Sequence, residues 1–162
     1  MKRWLSVLVL TLCLWSEVSL ALQGGDFAPP VVVLDHQGVE RSVDFTDKPI
    51  MLILFEAWNP SALNEFRAWQ KEDVFGRLND VVPFWVSYGA LKEIGQRAFD
   101  GTLPETMYYD PFLVLSKRYQ VDSGAQTFVL KRDKVLGVFN GLPSEAGRPL
   151  QTLLKRHGYS GN

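Results

Sequence analysis

Six consecutive apolar residues, Ile50-Met51-Leu52-Ile53-Leu54-Phe55, follow Pro49 without any polar interruption. A strand with one wet face alternates apolar and polar side chains. An unbroken run of this length therefore predicts a strand buried on both faces, in the middle of an α/β sheet. The next residues, Glu56-Ala57-Trp58-Asn59-Pro60-Ser61, lead into a helical pattern. Ala62, Phe66 and Trp69 stack at spacings of four and three with Leu63 beside them, while Asn64, Glu65 and Arg67 point outward. Asn59 can cap this helix and Pro60 suits its first position.

Other elements fall around this strand–turn–helix unit. Val31-Val32-Val33-Leu34 reads as an entry strand, turned by Asp35-His36-Gln37-Gly38 into a hairpin partner over residues 39–43. Residues 81–88 form a second apolar, aromatic-rich strand whose alternation would bury about half of it, with Pro83 near its start. A helix is predicted over 91–99, a loop over 101–104 and a short extension over 107–109. Residues 112–119 read as a helix with Asp110 at its start and Lys117 and Arg118 near its end. Strands at 127–131 and 135–140 form a hairpin joined by Arg132-Asp133-Lys134, and a closing helix over 149–157 stops at Gly158. Strands alternate with helices at first and end in a hairpin plus helix, so the sheet should be mixed.

The first residues read as an export signal. Lys2 and Arg3 precede an apolar run from Trp4 to Trp15, and Ser19-Leu20-Ala21 offers small residues for cleavage after Ala21. An uncleaved anchor is the alternative, although Glu17 interrupts a run that is barely long enough to span. A lipoprotein site is excluded by Leu12 before Cys13. Removing residues 1–21 reduces 17 basic and 18 acidic residues to 15 and 17, with no basic block, so nucleic acid is a poor partner. Cys13 is the chain's single cysteine and leaves with the signal. The exported form then has no thiol and no disulfide, and is held together by packing.

These features together resemble the thioredoxin fold, and within it the redoxin group of TlpA/ResA-like extracytoplasmic thioredoxins. Gly25-Asp26-Phe27-Ala28-Pro29-Pro30 resembles that group's opening "G-x-x-A-P-x-F", and Asp35-His36-Gln37-Gly38 its "D-x-x-G" turn. The stretch from Leu54 to Glu65 is similar to "F-W-A-T-W-C-P-P-C-R-x-E". Tyr109-Asp110, Arg118-Tyr119-Gln120-Val121 and Thr127-Phe128-Val129-Leu130 echo later motifs in the same order. The resemblance implies one domain over residues 22–162: a thioredoxin-like mixed β-sheet flanked by helices, with an N-terminal β-hairpin.

It also implies a loss of chemistry. A thioredoxin's first cysteine sits at a helix N-terminus, where unpaired N–H groups and the helix dipole favour the thiolate. The second cysteine, one turn on, resolves the mixed disulfide. The matching positions here are Asn59 and Ala62, and neither can do this work. The family's proline before the "T-x-F" strand is also missing: Gly124-Ala125-Gln126-Thr127-Phe128 contains none, which predicts a trans bond and an altered groove.

No replacement chemistry is visible. Ser61 lies near the helix start, but His36 and His157 are placed in a distant turn and at the last helix end. No His, Cys or carboxylate spacing suits a metal, and no cofactor motif occurs. The expectation is a redox-inactive periplasmic protein that binds a protein or peptide partner. The groove would be made of Trp58, Asn59, Pro60, Ser61, Ala125, Gln126 and Thr127, with Trp58 as the exposed anchor. Two alternatives stand beside it: a redoxin-related enzyme whose partner supplies the cysteine, and a structural subunit of an envelope complex.

Overall fold

A computed structural model describes residues 21–71, 80–89, 107–121 and 123–159. The expected signal lies almost wholly outside these residues, as do the helix expected over 91–99 and the loop over 101–104. Seven strands make one sheet: β1 (Val31–Leu34), β2 (Glu40–Val43), β3 (Ile50–Glu56), β4 (Val82–Tyr88), β5 (Tyr108–Asp110), β6 (Ala125–Lys131) and β7 (Lys134–Asn140). The helices are α1 (Pro60–Lys71), α2 (Val114–Arg118) and α3 (Pro143–Arg156). Among the described residues no helix is long and apolar enough to cross a membrane.

The strand order is β2-β1-β5-β4-β3-β6-β7, and the sheet is mixed as expected. β3 runs parallel to β4 and antiparallel to β6. The β1–β2 hairpin joins the sheet through an antiparallel contact of Leu34 with Tyr109.

The apolar run of β3 is buried at every position from Ile50 to Phe55 because both faces are covered. Met51, Ile53 and Phe55 pack with Ala62, Leu63 and Phe66 of α1 and Leu150 and Leu154 of α3. Ile50, Leu52 and Leu54 face the opposite layer, with Leu115 and Tyr119 of α2 and its flank. Each such apolar side chain contributes ~2 kcal/mol when removed from water.

β4 departs from the expected alternation. Its last four residues, Trp85 to Tyr88, are all buried, because the parallel neighbours β3 and β5 place this end inside the sheet. Trp85 fixes α1 against the sheet through edge-on contacts with Phe66 and Trp69, each with ring centroids 5.5 Å apart.

Asp110 starts α2 as expected, and does so while buried: its carboxylate accepts the N–H groups of Val114 (2.9 Å) and Ser116 (2.7 Å). Tyr119 donates its hydroxyl to the carbonyl of Pro29 at 2.7 Å, tying the N-terminal segment across the fold. The β6–β7 turn needs only Arg132 and Asp133, both at positive φ (48° and 61°), with Lys134 already in β7.

α3 begins six residues earlier than the sequence suggested. Pro143 opens it, and a break at Gly147 (φ 46°, ψ −126°) separates that first turn from the stretch containing Pro149. Pro149 looked like a helix start because it is one, for the second part of a broken helix.

Candidate functional site

The carboxyl end of β3 turns into α1 through Glu56-Ala57-Trp58-Asn59. This end of a parallel strand pair is where open α/β sheets put their ligands. Ala57 N–H is held by the Tyr88 carbonyl at 2.9 Å, and Asn59 N–H by the Glu56 carbonyl at 2.9 Å. The turn is thus fixed to β4 and to itself.

Asn59 caps α1. Its Oδ1 accepts the backbone N–H of Ala62 at 3.1 Å, and Pro60 occupies the first helical position. The free donors of the helix start are fewer as a result. Ala62 is fully buried in the α1–β3 core, Ser61 and Pro60 are exposed, and Asn59 is half-buried. Trp58 is 49 % exposed, a large indole standing in water at the turn.

The second part of the expected groove lies alongside. Ala125 registers with Phe55 and Gln126 with Leu54 across the β3–β6 ladder. Gly124 closes the junction: its carbonyl accepts the Glu56 N–H (3.2 Å) and the Tyr88 hydroxyl (3.0 Å). Tyr88 and Gly124 thereby hold the two segments together, a role the sequence reading did not assign. The only signal for it was a glycine ahead of a strand, and Gly124 does have positive φ (76°).

Thr127 behaves differently from its expected neighbours. It is completely buried, and its hydroxyl donates to the Gly141 carbonyl at 2.9 Å. It therefore supports the β6–β7 end and offers no surface to a partner. Gln126 remains half-exposed and bonds through Nε2 to Asn140 Oδ1 at 3.1 Å. None of the described peptide bonds is cis, including those from Gly124 to Phe128.

Glu65, expected to point outward, is half-buried and reaches α3. Its carboxylate accepts the Ser144 N–H (2.9 Å) and hydroxyl (2.5 Å), capping α3 from α1. Gly141 admits the Glu145 side chain, which turns back to the Leu142 N–H at 2.6 Å; a Cβ at Gly141 would collide with it.

Other chemistries find no constellation here. Among the described residues neither His36 nor His157 bonds to Ser61; His157 stacks on Tyr159 instead, with centroids 6.1 Å apart. Among the same residues no three His, Cys, Asp or Glu side chains cluster as a metal site.

No protein-family profile and no curated protein matches the chain. Solved structures do. A thiol:disulfide interchange protein DsbE from Chlorobium tepidum superposes with a TM-score of 0.65, covering 84 % of this chain and 98 % of its own, at 18 % identity. This is a thioredoxin fold. Among other thioredoxin-fold matches, the peroxidoxin BcpB from Mycobacterium tuberculosis gives a TM-score of 0.58 at 20 % identity, covering 83 % of this chain and 97 % of its own. The exposed lipoprotein thioredoxin of Streptococcus pneumoniae gives 0.60 at 18 % identity, covering 78 % and 99 %. In this thioredoxin fold the β3–α1 junction carries Asn59 and Ala62, and the described residues contain no cysteine.

Proposed function

We propose that the chain is a redox-inactive thioredoxin-fold module that holds a protein or peptide partner outside the cytoplasm, in a bacterial periplasm. The observation that carries this reading is the Asn59 cap: an amide oxygen takes up the Ala62 N–H, where thiol chemistry would need a thiolate. The thioredoxin scaffold is present, and in this reading the electron-transferring atoms are gone.

Trp58 supplies the binding energy in this reading. An indole half out of water gains on burial under a partner, and aromatic anchors of this kind dominate interfaces. Pro60 and Ser61 follow it in the chain, and Gly124 ties the β3–α1 turn to the start of β6, where Ala125 and Gln126 lie. Export rests on Lys2 and Arg3, the apolar run and the Ser19-Leu20-Ala21 cleavage site. The pneumococcal match, whose own description is an exposed lipoprotein, fits that location.

A photocrosslinking residue at Asn59 or at Gln126 tests the groove, with Lys117 on α2 as the comparison. Capture of one envelope protein from positions 59 and 126, lost on Trp58→Ala, is the expected result. Capture from Lys117 alone, or capture indifferent to Trp58→Ala, contradicts the reading.

A further inference from the structure

We infer that a second surface, the groove between β7 and α3, receives an extended acidic segment of a partner protein. Phe139, Arg148, Pro149, Thr152, Leu153 and Arg156 line a hollow of about 350 Å³ there. Phe139 and Leu153 supply its apolar surface, packed so closely over Gly137 that a Cβ there would crowd both. Its two ends are cationic. Arg148 and Arg156 are exposed, and among the described residues neither has a carboxylate or hydrogen-bond partner.

The spacing of the two arginines specifies the occupant. They lie eight residues apart on α3 with Thr152 midway, which a helical rise converts to about 12 Å between their backbone positions. In an extended chain, residues four apart share one face and are about 13 Å apart. Two carboxylates at that separation meet the two guanidiniums, and the side chain midway between them faces Phe139 and Leu153. The matching pattern is acidic–x–apolar–x–acidic.

The strand beneath is ready to pair. β7 is the outermost strand of the sheet. The N-terminal segment covers the start of that edge: Gly25 and Asp26 bond to Val135 (2.7 and 3.0 Å), Phe27 bridges Lys134 and Gly24 lies against the Leu136 carbonyl. Among the described residues no segment pairs with the outer edge from Gly137 to Asn140. An extended segment laid there continues the sheet through main-chain hydrogen bonds while its side chains are read by the groove. The chain's net charge is −1, so an acidic ligand gains nothing from the overall field and its attraction must be local. A concave floor with two flanking cations suits a segment of chain better than a flat layer of lipid headgroups.

Fluorescence anisotropy with two labelled, acetylated peptides of identical composition tests the assignment on the purified protein. One has the pattern Glu-x-Leu-x-Glu with Thr and Val elsewhere; the other has its two glutamates adjacent. The spaced peptide binds more tightly, weakens as salt is raised, and loses about tenfold in affinity in Arg148→Glu/Arg156→Glu. The control Lys117→Glu/Arg118→Glu, an equal charge change on α2, alters it by less than about twofold. Equal binding of both peptides, equal loss in the control, or no binding overturns the inference. So does attachment to phosphatidylglycerol vesicles through the two arginines without peptide binding. The Trp58 groove plays no part in this test, so its outcome is independent of the proposed function.

Discussion

The side-chain oxygen of Asn59 accepts the backbone N–H of Ala62 at 3.1 Å, so the two positions that the proposed function sets against a thioredoxin's cysteines form a helix cap. A cap and an activated thiolate use the same donors at the same helix end. Where one is built the other is excluded, and here the stability of α1 depends on the Asn59 cap.

Removing this cap has a measurable cost. Asn59→Ala leaves the Ala62 N–H without its partner and lowers stability by ~1 kcal/mol. Asn59→Asp keeps the acceptor and adds a negative charge at the helix start, so it matches or exceeds the parent at neutral pH. Urea denaturation of the three proteins reads both effects as shifts in midpoint.

Glu65 and Ser144 join α1 to α3 across 79 residues of sequence. The acceptor is a carboxylate, and charge-assisted bonds are the stronger kind. Glu65→Ala is expected to lower stability by ~1–2 kcal/mol. A cycle with Ser144→Ala should return a coupling of ~1 kcal/mol, since both changes remove the hydroxyl–carboxylate bond while only Glu65→Ala also removes the N–H bond.

Asp110 is the more critical cap. It is buried and serves two N–H groups of α2. Asp110→Ala leaves both donors without their acceptor, the Ser116 N–H in a buried position, and should cost ~2 kcal/mol, seen as a lower urea midpoint with an unchanged slope.

Two buried phenols set an alkaline limit. Burial pushes Tyr109 from an ordinary 10.0 up to about 12, and pushes Tyr119 up further. Below pH 10 the hydroxyls are neutral in both folded and unfolded chains, so their contribution is fully present. Above pH 10 the unfolded chain ionises first, and stability is lost as pH rises through the folded values. For Tyr109 alone the loss by pH 12 is ~2 kcal/mol. Tyr109→Phe should flatten the fall in denaturation midpoint between pH 10 and 12, and an absorbance titration of the folded protein should show both phenols ionising late.

How much of this was readable in the sequence depends on what each residue answers to. The Ile50–Phe55 run was legible because burial on both faces leaves an unmistakable absence of alternation. The Asn59–Pro60 start was legible because capping is local chemistry. β4 was misread as alternating because the burial of Trp85 to Tyr88 comes from the strands beside it. Glu65 looked like a solvated helix residue, since its partner Ser144 is far along the chain. The first turn of α3 was hidden because Gly147 breaks the helix and Pro149 restarts it, so only the second start carried the expected signature. At the site itself, Trp58 was correctly placed in water. Thr127 was not, because its burial comes from pairing with β3 on one side and β7 on the other, which is hidden until the sheet order is known.

An insulin-reduction assay with dithiothreitol tests the central claim most directly, using residues 22–162 beside an Asn59→Cys/Ala62→Cys variant. The unaltered protein should run at the rate of the protein-free blank, while the variant, with two thiols placed at the start of α1, exceeds it. Turnover above the blank by the unaltered protein would contradict the account.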